Sequence, residues 1–305
     1  MGRRRDNRPP DGVRGGSGLN RRHGRSWRRA RRARQRALGS LARQLVLLCG
    51  AVLVVAPFLW SITTSLKPIR ETFAPPYLYP VHLEWRNYVD AWQAAPFARY
   101  YLNTAIMTAG IVGGQIAFAA LSAYAFARLR FPGRDPLFLV FLGTMMVPFY
   151  VLLIPSYLIV ERLGWVDTYW ALIVPRAVSA FGIFLMRQAF LAVPRELDEA
   201  ALIDGCSRLG ILWRVVLPLS RPAVATLGVF AFLFSWNDFL WPMIVSRSPE
   251  MYTIQVGLQV FMGKYGTQWV KLMAGVVTST IPALFLFLLA QSYLVKGMAT
   301  SGLKG

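Results

Sequence analysis

The stretch YYLNTAIMTAGIVGGQIAFAALSAYAFA, residues 100–127, carries no charged side chain, and its reading decides the fold class. A bilayer core needs roughly 20 consecutive mostly apolar residues in helical form, because hydrocarbon offers no partner for a free backbone N–H or C=O. Working outward from it, three further charge-free runs reach that length, 44–66, 136–160 and 272–295. Two more candidates are interrupted, 169–186 by Arg176 and 222–245 by Asp238. The expected fold is all-α, an integral membrane bundle of six transmembrane helices.

Composition agrees. Of 305 residues, 55% are hydrophobic and 16% charged, whereas a soluble domain holds about a quarter charged residues. That excludes a disordered chain and argues against a soluble enzyme. The net charge of +20 is uneven, since residues 1–43 hold fifteen of the 34 Lys and Arg and only two of the 14 acids. Residues 1–40 therefore read as a basic, disordered tail and 41–305 as the membrane domain. Two readings of the tail stay open. It is attracted to anionic headgroups, at about 1 kcal/mol per base near the surface, or it is a solvated retention signal for topology. Nucleic-acid binding ranks below both, because Trp27 alone is placed to stack. By the positive-inside rule the tail faces the cytoplasm, and six spans put both termini there, in a multi-pass cell-membrane protein. The first run is too long, and its basic lead too extended, for a cleaved signal peptide.

Enzyme chemistry finds little support. Cys49 lies in an apolar run and Cys206 in a polar loop, and the two histidines, His23 and His82, are far apart in sequence, so neither a metal site nor a His-based centre is expected. The nearest phosphate-loop candidate, Gly257, Gly263 and Lys264, has five residues between its glycines rather than four, and Tyr265 stands where a magnesium-holding Ser or Thr is needed. No cofactor is expected. Within the spans, Gly110, Gly114, Ala117 and Leu121 continue one helix face, on which small residues permit close packing inside the bundle. Pro57, Pro148, Pro155, Pro175 and Pro282 each remove a backbone donor from a span.

The loop VPRELDEAALIDGCSRLGILWRVVLPLSRPA, Val193 to Ala223, is polar enough to lie outside the bilayer. Pro194 starts a helix, Glu196, Asp198 and Glu199 favour its positive end, and Gly205 stops it. Leu197, Ala200, Ala201 and Asp204 share one side at helical spacing. A second helical stretch is expected from Ser207 to Leu217, ended by Pro218. A short helix flat on the cytoplasmic side, small on one face and acidic on another, suits a groove in a partner.

Within it, EAALIDGCSRLGILWRVVLP, Glu199 to Pro218, resembles the EAA motif of ABC importer permeases, with Gly205 and the Leu217-Pro218 ending at their expected places. The stretches 145–175, SWNDFLWP (235–242) and QSYLVKGMATSGLKG (291–305) are similar to the sugar-importing, maltose-type branch, and the resemblance runs from about Leu41 to Gly305. Cys206 departs from it, since the family usually has Ala there. The resemblance implies a permease subunit of a binding-protein-dependent, ATP-driven sugar importer. Its partners are a second permease, two ATPase subunits and an extracytoplasmic solute-binding protein, with no ATP chemistry in this chain. It further implies that Glu199, Ala200, Ala201, Asp204, Gly205, Leu217 and Pro218 couple to the ATPase, and that Gly297, Gly302, Lys304 and Gly305 meet it through the C-terminal tail.

Solute contacts are harder to place. Sugars offer hydroxyls and a CH face, so Tyr150, Tyr157, Trp236, Asn237 and Asp238 are candidates, although aromatics near span ends also form interfacial belts. Arg176 and Asp238 are ionisable at membrane depth, where such groups face a partner or a wet cavity. Two other classes compete. A stand-alone secondary transporter or channel would place several ionisable groups near the midplane, and an integral membrane enzyme would need an acid, base or metal constellation that the sequence lacks.

Overall fold

The structure, a computed structural model, describes residues 19–263 and 266–301. The chain divides into two compact units at Leu59 and Trp60. The first contains most of α1 (Leu19–Ser65). Its apolar window, Arg43–Ser65, carries exposed side chains such as Leu45, Leu53 and Phe58, the surface expected of a helix whose solvent is lipid. The helix begins at Leu19, inside the stretch read as a disordered tail, whose Arg, Ala and Gln are strong helix formers. Residues 1–18 of that tail lie outside the described residues.

The second unit holds the bundle. Its long helices are α3 (Phe97–Arg128) and α14 (Trp269–Ser301). The apolar window of α14 ends at Gln291. The remaining apolar segments are broken. α4 (Arg134–Thr144) and α5 (Phe149–Arg162) meet at 98°, and α6 (Tyr169–Ile173), extended by a tight turn to Arg176, meets α7 (Ala180–Ala192) at 46°. α8 (Arg195–Ile203), α9 (Arg208–Ile211), a π-helical turn at Leu212–Val216 and α10 (Leu217–Leu219) follow. The segment Arg208–Leu219 meets α11 (Arg221–Trp236) at 82°, and α12 (Leu240–Val245) comes after a further break. Short α2 (Arg86–Gln93) and α13 (Ile254–Gly257) lie between the longer elements, and β1 (Met262–Gly263) pairs antiparallel with β2 (Gly266–Thr267).

Among the described residues three helices are thus long and apolar enough to cross a membrane, and three bent pairs pass the same test together. Three expected single spans need correction, and one of them, 169–186, breaks between Arg176 and Ala180, where α6 with its turn meets α7 at 46°. The run 136–160 is not one helix, since Pro148 takes extended backbone (ψ 137°) and cannot donate to the preceding turn. The run 222–245 breaks at Asn237–Phe239. The stretch from Ser207 also runs past Pro218 to Leu219, as one continuous helical segment that carries a π turn at Leu212–Val216 just before the proline.

α3 is the axis of the unit and packs against α7, α11 and α6, while α11 also packs on α14. The close approach to α6 and its turn depends on glycine. A Cβ on Gly110 would stand 2.7 Å from Ile173 Cδ1, and one on Gly114 2.8 Å from Ala177 Cβ. At Gly110 and Gly114 the expected small face is therefore a packing face inside the bundle, whereas Leu121 is exposed and lies off it. At the other end of the chain order, residues 66–85 fold around a buried Lys67, whose ammonium donates to the carbonyls of Pro76 (3.1 Å) and Tyr77 (3.0 Å). Asn87 Nδ2 ties the same loop to α2 through the carbonyls of Ser65 and Lys67.

Candidate functional site

The loop between α7 and α11 is built as its local chemistry dictates. Pro194 holds extended backbone (φ −57°, ψ 137°) ahead of α8, and Glu196 and Asp198 occupy the first turn, near the positive end of the helix. At the far end Gly205 N–H bonds the carbonyl of Leu202 (3.0 Å) and Cys206 N–H that of Ala201 (2.9 Å). With φ +81° at Gly205 this is a Schellman stop. Ser207 then opens α9, its hydroxyl accepting from Gly210 N–H at 3.1 Å.

Side-chain placement differs by one position from the expected face. Ala201 is buried in the cluster formed with Ala123, Tyr124 and Ile211, and Asp198 turns inward with it. Leu197, Ala200 and Asp204 are exposed instead, beside Glu199 and the 86% exposed Ile203. The reason is a partner the sequence reading missed. Arg128, the last residue of α3 and only 3% exposed, lies 3.4 Å from the Asp198 carboxylate, and its Nη2 donates to the Val193 carbonyl at 2.8 Å. Leu217 and Pro218 stand at the other end of the loop, lining a shallow groove with Arg221, Val224 and Ala225.

A second cluster joins three breaks. Arg176, after α6, donates to Asp238, between α11 and α12, at 3.1 Å, and each side chain is 11% exposed. The guanidinium also stands 3.8 Å above the ring of Phe149, which opens α5 beyond the 98° bend, and within cation–π reach of Phe234 and Trp241. The proposed solute residues are not gathered here. Trp236 is buried, its indole N–H bonded to the Ser279 carbonyl (2.9 Å), and Tyr150 is exposed on α5. The Tyr157 hydroxyl accepts from Arg247 at 2.9 Å, and Asn237 turns its amide back to the Leu233 carbonyl at 2.8 Å. Of the five, Asp238 alone enters the Arg176 cluster. Its partner Arg176 was visible in sequence as a charge at depth, whereas Phe149 gave no signal among so many apolar residues.

Among the described residues no group of three or more His, Cys, Asp or Glu is placed to hold a metal. Lys264 and Tyr265 of the phosphate-loop candidate, and Gly302, Lys304 and Gly305 of the C-terminal tail, lie outside the described residues. Gly297 lies in the last turns of α14.

Long apolar helices and broken apolar pairs, with a capped polar helix between two of them, mark a membrane protein. The chain belongs to the family described as "Binding-protein-dependent transport system inner membrane component", whose model matches residues 115–300. It is 34% identical over 259 residues to the arabinooligosaccharides transport system permease protein AraQ of Halalkalibacterium halodurans, covering 84% of this chain and 93% of that one. It is also 34% identical over 256 residues to the probable ABC transporter permease protein YurM of Bacillus subtilis, covering 83% and 85%. Among solved structures, a chain of a bacterial ABC transporter involved in the import of the acidic polysaccharide alginate matches with TM-score 0.78 and 26% identity, over 85% of this chain and 98% of that chain.

Proposed function

We propose that this chain is the permease subunit of an ATP-driven, binding-protein-dependent sugar importer. It forms part of the translocation path with a second permease, and separate ATPase subunits drive it. In this reading the three long helices and three bent pairs are six spans, both termini are cytoplasmic, and α8 is the coupling helix. Glu199, Ala200 and Ile203 form its outward docking face, Gly205 fixes its end, and Gly297 to Gly305 reach the ATPase interface. The basic lead of α1 lies at the cytoplasmic surface. One observation carries the proposal: a nine-residue helix held to its own bundle by Asp198 and Ala201, yet exposing Glu199, Ala200 and Ile203. Leu197, Leu202 and Ile203 expose apolar side chains on this one short helix, and clustered apolar exposure marks an interaction site where a single such residue would not.

The stand-alone transporter reading is weakened by the Arg176–Asp238 pair, because these two charges at depth are committed to each other. The sugar class is drawn from the arabinooligosaccharide and alginate systems among the similar proteins. The test is uptake in cells carrying the intact operon, over a panel of mono- and oligosaccharides, with purification of the permease through a tag on this chain. An ATP-hydrolysing subunit and a second permease should co-purify, and uptake should require both. Purification of this chain alone, with uptake indifferent to ATP, would return the stand-alone reading.

A further inference from the structure

The end of α3 and the start of α8 meet at one side chain. Arg128 closes α3, where a cation complements the negative end of the helix, and Asp198 lies in the first turn of α8, where an anion complements the positive end. The same guanidinium caps the carbonyl of Val193, the residue that terminates α7. One buried cation therefore ties together α3, α7 and α8. The half-buried Arg187 of α7 reinforces the joint between α3 and α7, its Nε donating to the Phe126 carbonyl at 3.3 Å.

The joint is firm yet incompletely closed. Ala201 is buried in the same apolar cluster as Ala123, Tyr124 and Ala127 of α3, so α8 is seated as well as charged into place. However, Arg128 Nε and Asp198 Oδ1 lack hydrogen-bond partners, and the 3.4 Å separation is longer than a good charge-assisted hydrogen bond. A pair of this kind transmits a push while retaining room to tighten. The opposite end of α8 has no such tie. It finishes in the Gly205 turn, around which a Cβ would meet nothing within 4 Å, and the chain reaches α11 only through the π turn and the 82° bend.

We propose that Arg128 and Asp198 are the positioning residues through which displacement of α8 is delivered to α3, so that α3 and α7 follow α8 directly and α11 follows later in the path. The inference rests on the coupling-helix reading above and adds its route, into a span that does not border the loop in sequence. Asp198 stands on the inward side of α8, away from the exposed Glu199 and Ile203, so its loss should leave docking intact.

The experiment is hydrogen–deuterium exchange by mass spectrometry on the purified permease–ATPase complex, with and without ATP plus vanadate. It is run on the unmodified chain, on Asp198→Asn and on Asp198→Glu. In the unmodified complex, nucleotide should change exchange in both the α8 peptide and the peptide at the end of α3. In Asp198→Asn the α8 change should persist while the α3 change falls by about fivefold or more, and Asp198→Glu should restore it. An α3 response that survives in Asp198→Asn would overturn the route. So would loss of the ATPase from that variant, which would make Asp198 a docking residue, or an α8 so loosened before nucleotide is added that nucleotide no longer changes its exchange, which would make Asp198 merely structural. If no ATPase co-purifies with the unmodified chain, the permease reading itself fails, a result separate from all of these.

Discussion

Arg176 and Asp238 lie 3.1 Å apart, each at a break in an otherwise apolar helical segment, and neither is more than 11% exposed. Irregular backbone at membrane depth is tolerated only where protein or a wet cavity satisfies it. Here Asp238 accepts from the Trp241 N–H (3.4 Å) at one break, Gln115 donates to the Arg176 carbonyl (2.9 Å) at the other, and the Phe149 ring beneath the guanidinium brings in a third.

Removing one partner strands the other. Asp238→Ala leaves a buried guanidinium without its counter-charge, at a cost of about 3–5 kcal/mol, and the double change Arg176→Met with Asp238→Ala should recover much of that loss. Thermal unfolding of the detergent-purified permease measures both. Equal melting of the single variant and the unmodified chain would show that the pair holds nothing together.

The glycines of α3 should divide sharply. Gly114→Ala drives a Cβ to 2.8 Å from Ala177 Cβ and 3.3 Å from its Cα and carbonyl oxygen, neither of which can rotate away. Overpacking of this kind costs about 1–3 kcal/mol. Gly113→Ala meets nothing within 4 Å and removes a poor helix former, for a gain of up to about 1 kcal/mol. Melting temperatures should therefore move in opposite directions for neighbouring residues.

Acid should loosen the turn that joins α5 to α6. Burial of the Asp167 carboxyl opposes its charge, but hydrogen bonds from the backbone N–H groups of Ser248 (3.0 Å) and Arg247 (2.9 Å), with the Arg247 charge, outweigh burial and hold it below the usual carboxylate range. A depressed folded value contributes stability that is complete above the unfolded value of about 3.9 and is lost as pH falls through the folded value. Protection of the Arg247 and Ser248 amides, corrected for intrinsic exchange, should therefore be flat near neutrality and fall in strong acid. Asp167→Asn should abolish that acid dependence, because its amide does not titrate. An acid response that persists in Asp167→Asn would place its origin elsewhere.

Much of this was legible in sequence because it is local. Pro194, the first-turn acids and Gly205 announced α8 and its stop, and charge-free length announced α1, α3 and α14. The Arg176–Asp238 pair was half visible, since a charge in an apolar run demands a partner. The breaks were not, because Met145, Met146 and Val147 are as apolar as their neighbours and a proline inside a span reads equally as a kink. The tie from Arg128 to Asp198 was invisible for a different reason: it exists only once α3 and α8 are packed, and Arg128 alone reads as an ordinary basic residue at a span end. Its consequence was the one-position error in the face of α8.

The central claim, that α8 couples this permease to a separate ATPase, is tested most directly by pull-down of the ATPase with purified permease carrying Gly205→Val or Glu199→Lys. Gly205 sits at φ +81° in open space, so the cost of valine is backbone strain and not a clash. Glu199→Lys reverses a charge on the exposed face without touching the bundle. Both variants should insert and pair with the second permease, yet retain little ATPase or hydrolyse ATP without sugar uptake. Full ATPase retention with normal uptake in both would contradict the account.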